Sequence, residues 1–300
     1  MTRKIIYIIN PVSGTRSKKN LQHFIEEKTR LQKISYEIFP SVASGDYSFL
    51  HPIIRKEKIT DVVIAGGDGT VSQVVESLMD FDLNFGIIPC GSGNGLAFAA
   101  KIPKLPAKAL DIIFNGSATP IDGYMVNDRF ACMLSGLGFD ARVAHDFANE
   151  PKRGLAVYAK LAFKNFFAMK SFPVEVQLEE TNFKTEAYFI SIANSNQFGN
   201  NFTIAPKASL SDGLLDIVIV TSQNKVSFIL QTIKQLAGWN KLQPSLLIQQ
   251  QKAVIYFQAE KLNIGNPSNA PLHIDGEPAE TQGNLNIAIK KKCFRLIQPV

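Results

Sequence analysis

The chain has 300 residues, 45% hydrophobic and 19% charged, an ordinary globular composition at about twice the ~150-residue length expected of one domain. Its formal charge of +6 favours an anionic partner without choosing among nucleotide, nucleic acid and the negative face of a membrane. Cys90, Cys132 and Cys293 are odd in number and far apart, which excludes a disulfide framework or paired-cysteine zinc site and reads as small buried thiols. No apolar run approaches the ~18 to 20 residues that span a bilayer, and Asn10-Pro11 breaks the opening segment too soon for a signal peptide, so a cytoplasmic chain is expected.

From residue 4 to about 120, short apolar runs alternate with amphipathic stretches, the pattern of buried parallel strands covered by helices. Lys4 to Ile9 reads as a strand, Leu21, Phe24, Ile25, Lys28 and Leu31 fall at helical spacing, and Ser35 to Phe39 reads as a second strand. Asp61 to Ala65 and Phe85 to Ile88 are further strands, with Val71, Val74, Val75 and Leu78 forming the apolar stripe of a helix between them.

After about Ile121 the texture becomes alternating, with hairpin signals at Asn127-Asp128 and Thr181-Asn182, which predicts antiparallel β structure. The better strand candidates are Val174 to Leu178, Ala187 to Ala193, Leu215 to Val220, Ala253 to Phe257 and Leu285 to Ile289. The expected division is therefore an α/β lobe over 1–121 and a β-rich lobe over 122–289, with 290–300 a candidate return to the first lobe.

Gly66-Gly67-Asp68-Gly69-Thr70 follows the strand DVVIA and precedes a helix. Glycines let backbone N–H groups approach phosphate oxygens, and a helix N-terminus adds partial positive charge. An acid in such a loop is costly unless it orders a cation or meets a hydroxyl, so Asp68 is expected at Mg²⁺, at its waters or at the phosphoryl acceptor; the alternative is a tight turn capped by Asp. Asn10-Pro11-Val12-Ser13-Gly14 and Pro89-Cys90-Gly91-Ser92-Gly93-Asn94 also follow strands, and parallel strand ends lie at one edge, where the three loops converge on one nucleotide.

These segments, with Gly136-Leu137-Gly138-Phe139-Asp140, the run Asn194 to Gly213 and Ile274-Asp275-Gly276-Glu277, stand in the order found in the diacylglycerol kinase catalytic-domain family, which the chain resembles over nearly its whole length. That family includes bacterial soluble lipid kinases and sphingosine kinases. The resemblance implies an α/β nucleotide-binding lobe and a C-terminal β-sandwich lobe with the active site in the cleft between, and transfer of the γ-phosphoryl of ATP to a membrane-lipid hydroxyl. It sets ATP against Asn10, Pro11, Ser13, Gly14, Ser41, Gly66, Gly67, Asp68, Gly69, Thr70, Gln73, Gly91, Ser92, Gly93 and Asn94. It makes Glu277 the general base, close to Asp68, with Asp275 beside it as a further catalytic candidate. Ser209 to Asp216 resembles a stretch that holds Mg²⁺ away from the phosphates: Asp212 is the first ligand, with the carbonyls of Ser209 and Leu214 as partners, or else the segment is a solvated turn. A second, catalytic Mg²⁺ arrives with ATP.

Two departures bear on the acceptor. Gly91-Ser92-Gly93-Asn94-Gly95 has Ser and Gly where many bacterial diacylglycerol kinases have Thr and Asp, closer to sphingosine kinases, so diacylglycerol and a sphingoid base both stand. Asn200-Asn201 replaces glycines common in the family. Residues 151–172 contain Lys152, Arg153, Lys160, Lys164 and Lys170 and no acid; Arg153, Lys160 and Lys164 share one helical face, with Phe163 and Phe167 beside them and Leu155, Tyr158, Ala162, Phe166 and Met169 opposite, so the stretch is a candidate peripheral membrane contact or a plain packed surface helix. Phe228, Ile229, Ile233 and Trp239 offer a second candidate contact. The four histidines read as structural, with His273 of interest because it precedes Asp275 and Glu277. The basic residues form no stacking surface for nucleic acid. An NAD kinase-like soluble enzyme and a non-catalytic lipid-binding protein remain the alternatives, and a homodimer is left open.

Overall fold

KIIYII, DVVIAG and NFGIIP are buried along almost their whole lengths, as strands covered on both faces must be. The structure, a computed structural model, describes residues 3–11, 18–151, 154–199, 202–221, 225–244, 248 and 252–300. Its first unit comprises Met1–Ile121 with Lys292–Val300, and its second Asp122–Lys291.

In the first unit, β1 (Lys4–Ile9), α1 (Lys18–Leu31), β2 (Ser35–Pro40), α2 (His51–Glu57), β3 (Asp61–Gly66), α3 (Asp68–Leu78), β4 (Asn84–Pro89), α4 (Gly95–Ala99) and α5 (Pro106–Asn115) follow one another. The strands form a parallel sheet in the order β2-β1-β3-β4. The returning chain adds Arg295 and Leu296, parallel to β4 at Asn84 and Phe85.

The N-terminal edge of this sheet is closed by charge. Arg3 Nε and Nη2 donate to the Asp61 carboxylate at 3.0 and 3.1 Å, and Nη2 also reaches the Ile113 carbonyl at 2.6 Å. Arg295 Nε donates to Asn84 Oδ1 at 3.0 Å. The opposite edge, where β1, β2, β3 and β4 end, carries the loops.

The stripe Val71, Val74, Val75 and Leu78 is buried in α3. In α1, Leu21 and Ile25 are buried, but Leu31 is 67% exposed. The inward position goes instead to Thr29, whose hydroxyl donates to the Ile25 carbonyl at 2.7 Å and meets the Tyr7 hydroxyl at 2.8 Å. A polar residue thus serves as core because it can pair a buried phenol, which burial pushes up to about 12 against the bond from Thr29.

The second unit starts within β5 (Ser117–Val126) and continues with β6 (Arg129–Ala131), β7 (Leu134–Gly138), α6 (Phe139–Ala148), α7 (Leu155–Ala168), β8 (Phe172–Gln177), β9 (Asn182–Ala193), β10 (Gln197–Gly199), β11 (Phe202–Thr203), β12 (Leu215–Thr221) and α8 (Lys225–Leu236). It closes with β13 (Val254–Ala259), β14 (Lys261–Gly265), β15 (Leu272–Ile274), β16 (Glu277–Ala279) and β17 (Asn284–Gln298), the last of which runs on into the first unit. Pairing is antiparallel: β9 takes β8, β7 and β12 as neighbours, β12 takes β13, and β8 takes β14. Leu137, Val176, Ile190, Ile217, Phe257, Ile264 and Leu285 belong to one apolar core fed by all these strands. Cys132 is buried, whereas Cys90 and Cys293 are only half-buried, and none of the three forms a disulfide.

Thr29→Val keeps the shape of α1 and strands the Tyr7 hydroxyl. It should cost about 1–3 kcal/mol, seen as a lower urea midpoint, while Leu31→Ala leaves the midpoint nearly unchanged.

Candidate functional site

The loops at the C-terminal edge of the first unit are bound to one another through the backbone. Asn10 N–H donates to the Ala65 carbonyl at 2.9 Å, and its Nδ2 donates to Thr70 Oγ1 at 2.8 Å, joining the loop after β1 to the first turn of α3. Ser41 N–H donates to the Ile9 carbonyl at 3.0 Å, and Cys90 N–H to the Gly66 carbonyl at 2.8 Å. Gly45, at φ +73°, lies so close to Gln73 that a Cβ there would meet Gln73 Cδ at 2.9 Å, so the loop after β2 rests on α3.

Gly67 and Gly91 meet backbone to backbone. A Cβ on Gly91 would fall 2.6 Å from Gly67 Cα, and one on Gly67 would fall 3.1 Å from Gly91 Cα. The loop after β4 is then closed from within by Asn94, which is buried and in the left-handed region at φ 59°. Its Oδ1 accepts from Gly91 N–H at 2.7 Å, and its Nδ2 donates to the Gly91 carbonyl at 2.8 Å. Asp68, the first residue of α3, accepts from Leu96 N–H at 3.3 Å and so joins the loops after β3 and β4. The half-buried residues Gly67, Asp68, Gly69, Gly91, Ser92 and Gly93 form a glycine-lined rim beside a helix start, whose first N–H groups have no intrahelical partner.

In the second unit, Asp275 and Gly276 form a two-residue turn between β15 and β16, with φ 49° and 83°. The Asp275 carboxylate accepts from the N–H groups of Cys132, Met133 and Leu134 at 2.9, 3.0 and 2.9 Å. His273, buried before the turn, accepts from Gly276 N–H on Nδ1 at 3.2 Å, which leaves the proton on Nε2 to donate to Asp140 Oδ2 at 3.3 Å. Gly136 is required there, since a Cβ would lie 2.1 Å from Asp140 Oδ2. Glu277 follows the turn with its side chain exposed.

A second acidic group surrounds Gly213. Asp122, fully buried, accepts from Gly213 N–H at 2.8 Å, and its own N–H donates to the Leu210 carbonyl at 2.7 Å. Asp212 accepts from Leu214 N–H at 3.1 Å; desolvation raises its carboxyl above the ordinary value against that bond, and the charge of Asp122 raises it further. Burial pushes Asp216 up to about 6, opposed by donors from Gln258 and Tyr256, with the Asp212 charge adding to the rise.

Two family patterns match the chain: the diacylglycerol kinase catalytic domain over residues 4–126, and the YegS C-terminal NAD kinase beta sandwich-like domain over residues 134–297. The chain belongs to the diacylglycerol kinase catalytic-domain family. Within it, the diacylglycerol kinase of Bacillus subtilis (strain 168) is 27% identical over 281 residues, covering 91% of this chain and 89% of the relative. The diacylglycerol kinase of Staphylococcus epidermidis is 26% identical over 285 residues, covering 92% and 86%. A solved structure of a diacylglycerol kinase from Bacillus anthracis str. Sterne shares the fold, with a TM-score of 0.74 at 18% identity over 99% of this chain and 97% of its own. The two lobes are thus the family's α/β lobe and its β-sandwich.

Of the residues that the family resemblance singles out, Asn10, Ser41, Gly66 to Thr70, Gln73 and Gly91 to Asn94 share the loop-bearing edge of the first unit. Pro11 follows Asn10 at the surface, while Ser13 and Gly14 lie outside the described residues, as do Asn200 and Asn201. Asn94 spends its side chain on Gly91 and shapes the loop. Asp275, the further catalytic candidate, has its carboxylate bonded by three buried amide donors and so folds the turn that carries Glu277. Asp212 stands with Asp122, flanked by half-buried Ser209 and Leu214. Sequence reasoning passed over Asp122 and gave Asp140 no role; an Asp inside the strand SATPIDGYMV was the available signal for the first.

Gly91→Ala places a methyl against a backbone atom that has nowhere to move. It should weaken nucleotide binding by at least tenfold in calorimetry. Asp275→Asn should lower the thermal midpoint by several degrees, through three weakened bonds to buried amides.

Proposed function

We propose that this lipid kinase family member transfers the γ-phosphoryl group of ATP to a hydroxyl of a membrane lipid at the cytoplasmic face of the membrane. Diacylglycerol is the acceptor that the relatives' names support; a sphingoid base is the second, favoured by Gly95, which leaves the third loop without an acid. The observation that carries the reading is the Gly67–Gly91 contact, which gathers glycine-lined loops and the start of α3 at one sheet edge in a chain matched there by a kinase catalytic domain.

The N–H groups of the Gly67–Gly69 segment, of Ser92 and Gly93 and of the first turn of α3 hold the phosphate oxygens, the Gly91 N–H being taken by Asn94. Asn10 and Asp68 keep these segments in register through their bonds to Thr70 and Leu96. Glu277 accepts the proton of the acceptor hydroxyl. Its carboxylate is exposed, and no hydrogen bond or ion pair of its side chain is found among the described residues. A general base of this kind contributes roughly 10² to 10⁴-fold.

The residues also fit a hard cation. Asp122 and Asp212 repel each other across Gly213, the donor chemistry that Mg²⁺ takes up. Among the described residues no group of three His, Cys, Asp or Glu side chains is suited to a metal, so carbonyls such as those of Ser209 and Leu214, with water, would complete the set. Asp122 and Asp212 would hold Mg²⁺ there, which would neutralise the pair, and Asp68 would stand beside a cation that arrives with ATP.

Micelles containing diacylglycerol, monoacylglycerol or a sphingoid base, incubated with γ-labelled ATP and Mg²⁺, should yield a labelled lipid; label in added NAD alone would overturn the assignment. Glu277→Gln should lower kcat by roughly 10² to 10⁴-fold with an unchanged thermal midpoint. Millimolar Mg²⁺ should raise that midpoint without nucleotide, and Asp212→Asn should cancel the rise without lowering the metal-free value.

A further inference from the structure

Helix α8 is built inside out. Its inward side carries Phe228, packed against Phe139, Tyr188 and Phe189 at ring-centroid distances of 5.6, 5.4 and 5.9 Å. It also carries Gln235, fully buried, whose Nε2 donates to the Ile204 carbonyl at 2.7 Å and whose Oε1 accepts from Asn240 Nδ2 at 3.0 Å. The outward side carries Val226, Ile229, Leu230 and Ile233, between 43% and 69% exposed, with Trp239 beyond the helix at 71%. These four lie at the spacing of one helix face. A surface helix ordinarily buries such a stripe and exposes its glutamine, so packing among the described residues does not account for the arrangement; an apolar phase outside the protein does.

Helix α7 extends the same surface. Phe166 meets Phe228 at 5.9 Å, and its neighbours Phe163 and Phe167, in mutual ring contact at 5.0 Å, are 68% and 60% exposed. The charge carried by these two segments has one sign. Residues 151–174 and 217–259 contain no Asp or Glu, while Lys160, Lys164, Lys170, Lys234 and Lys241 are exposed.

We propose that α7 and α8 form one docking face for an anionic lipid bilayer. Ile229, Leu230, Ile233, Trp239, Phe163 and Phe167 enter the headgroup boundary, and the lysines lie on lipid phosphates. A second copy of the chain is the other apolar partner on offer, but a two-fold contact through this face would set lysines against lysines with no acid from either segment between them. The inference deepens the lipid-kinase reading and rests on it for its purpose; the docking itself needs no turnover.

Trp239 is the only tryptophan of the chain, so its fluorescence reports on this face alone. The full chain would be titrated with phosphatidylcholine vesicles, with and without phosphatidylglycerol, in the absence of ATP and of any acceptor lipid. Expected are a blue shift and quenching by brominated acyl chains on the phosphatidylglycerol vesicles, with binding weakened by salt. Ile229→Asn with Ile233→Asn should reduce partitioning roughly tenfold or more, while phosphorylation of detergent-dispersed acceptor is unchanged. Emission unaltered by phosphatidylglycerol vesicles would overturn the proposal. So would a vesicle-independent shift that tracks protein concentration alongside a doubled sedimenting mass, which would assign the face to a second copy. Docking without phosphorylation of any lipid would support the docking face and remove the kinase reading, so the two fail separately.

Discussion

The contact between Gly67 and Gly91 is the constraint on which the first unit's site depends. Two loops at the ends of adjacent parallel strands can touch backbone to backbone only if neither bears a side chain, and the 2.6 Å a Cβ on Gly91 would leave admits none. Once the loops are that close, Cys90 N–H reaches the Gly66 carbonyl and Asp68 reaches Leu96 N–H. Asn94, held left-handed and buried, fixes the loop after β4 in the conformation that makes the approach possible. The closed opposite edge, where Arg3 ties Asp61 to the end of α5, gives the sheet a rigid base from which these loops project.

In the second unit, buried carboxylates do a similar positional job with different chemistry. Asp275 gathers three amides, and Asp122 takes Gly213 N–H while its own amide bonds Leu210. Each acid is desolvated, and each is repaid by charge-assisted bonds to backbone that would otherwise be buried without a partner. The consequence for function is a division of labour between neighbours: Asp275 folds the turn, and Glu277, two residues on, is left at the surface.

Much of this was legible in the sequence, for physical reasons. The strands β1, β3 and β4 are continuous apolar runs bounded by turn residues, so their limits and the loops after them follow from composition. GGDGT and PCGSGN announce a close backbone approach because no other residue permits it. What the sequence did not disclose depends on tertiary partners. Leu31 and Thr29 exchange roles because Tyr7 needs a hydroxyl. Asp275 and Glu277 look alike in IDGEP, and only the amides of Cys132, Met133 and Leu134, distant in the chain, separate them. The polarity of α8 misleads for the same reason, since Gln235 is inward only because Ile204 offers it a carbonyl.

A lipid kinase moves a phosphoryl group, and the destination is a lipid hydroxyl. Phosphorus-31 NMR of the purified chain with ATP, Mg²⁺ and a total membrane lipid extract tests this without a prior choice of acceptor. Lipid phosphorylation should give loss of the γ-phosphate resonance, appearance of ADP, and a new phosphomonoester signal that partitions into organic solvent. Inorganic phosphate alone, or a phosphomonoester that stays in the aqueous phase, would contradict it.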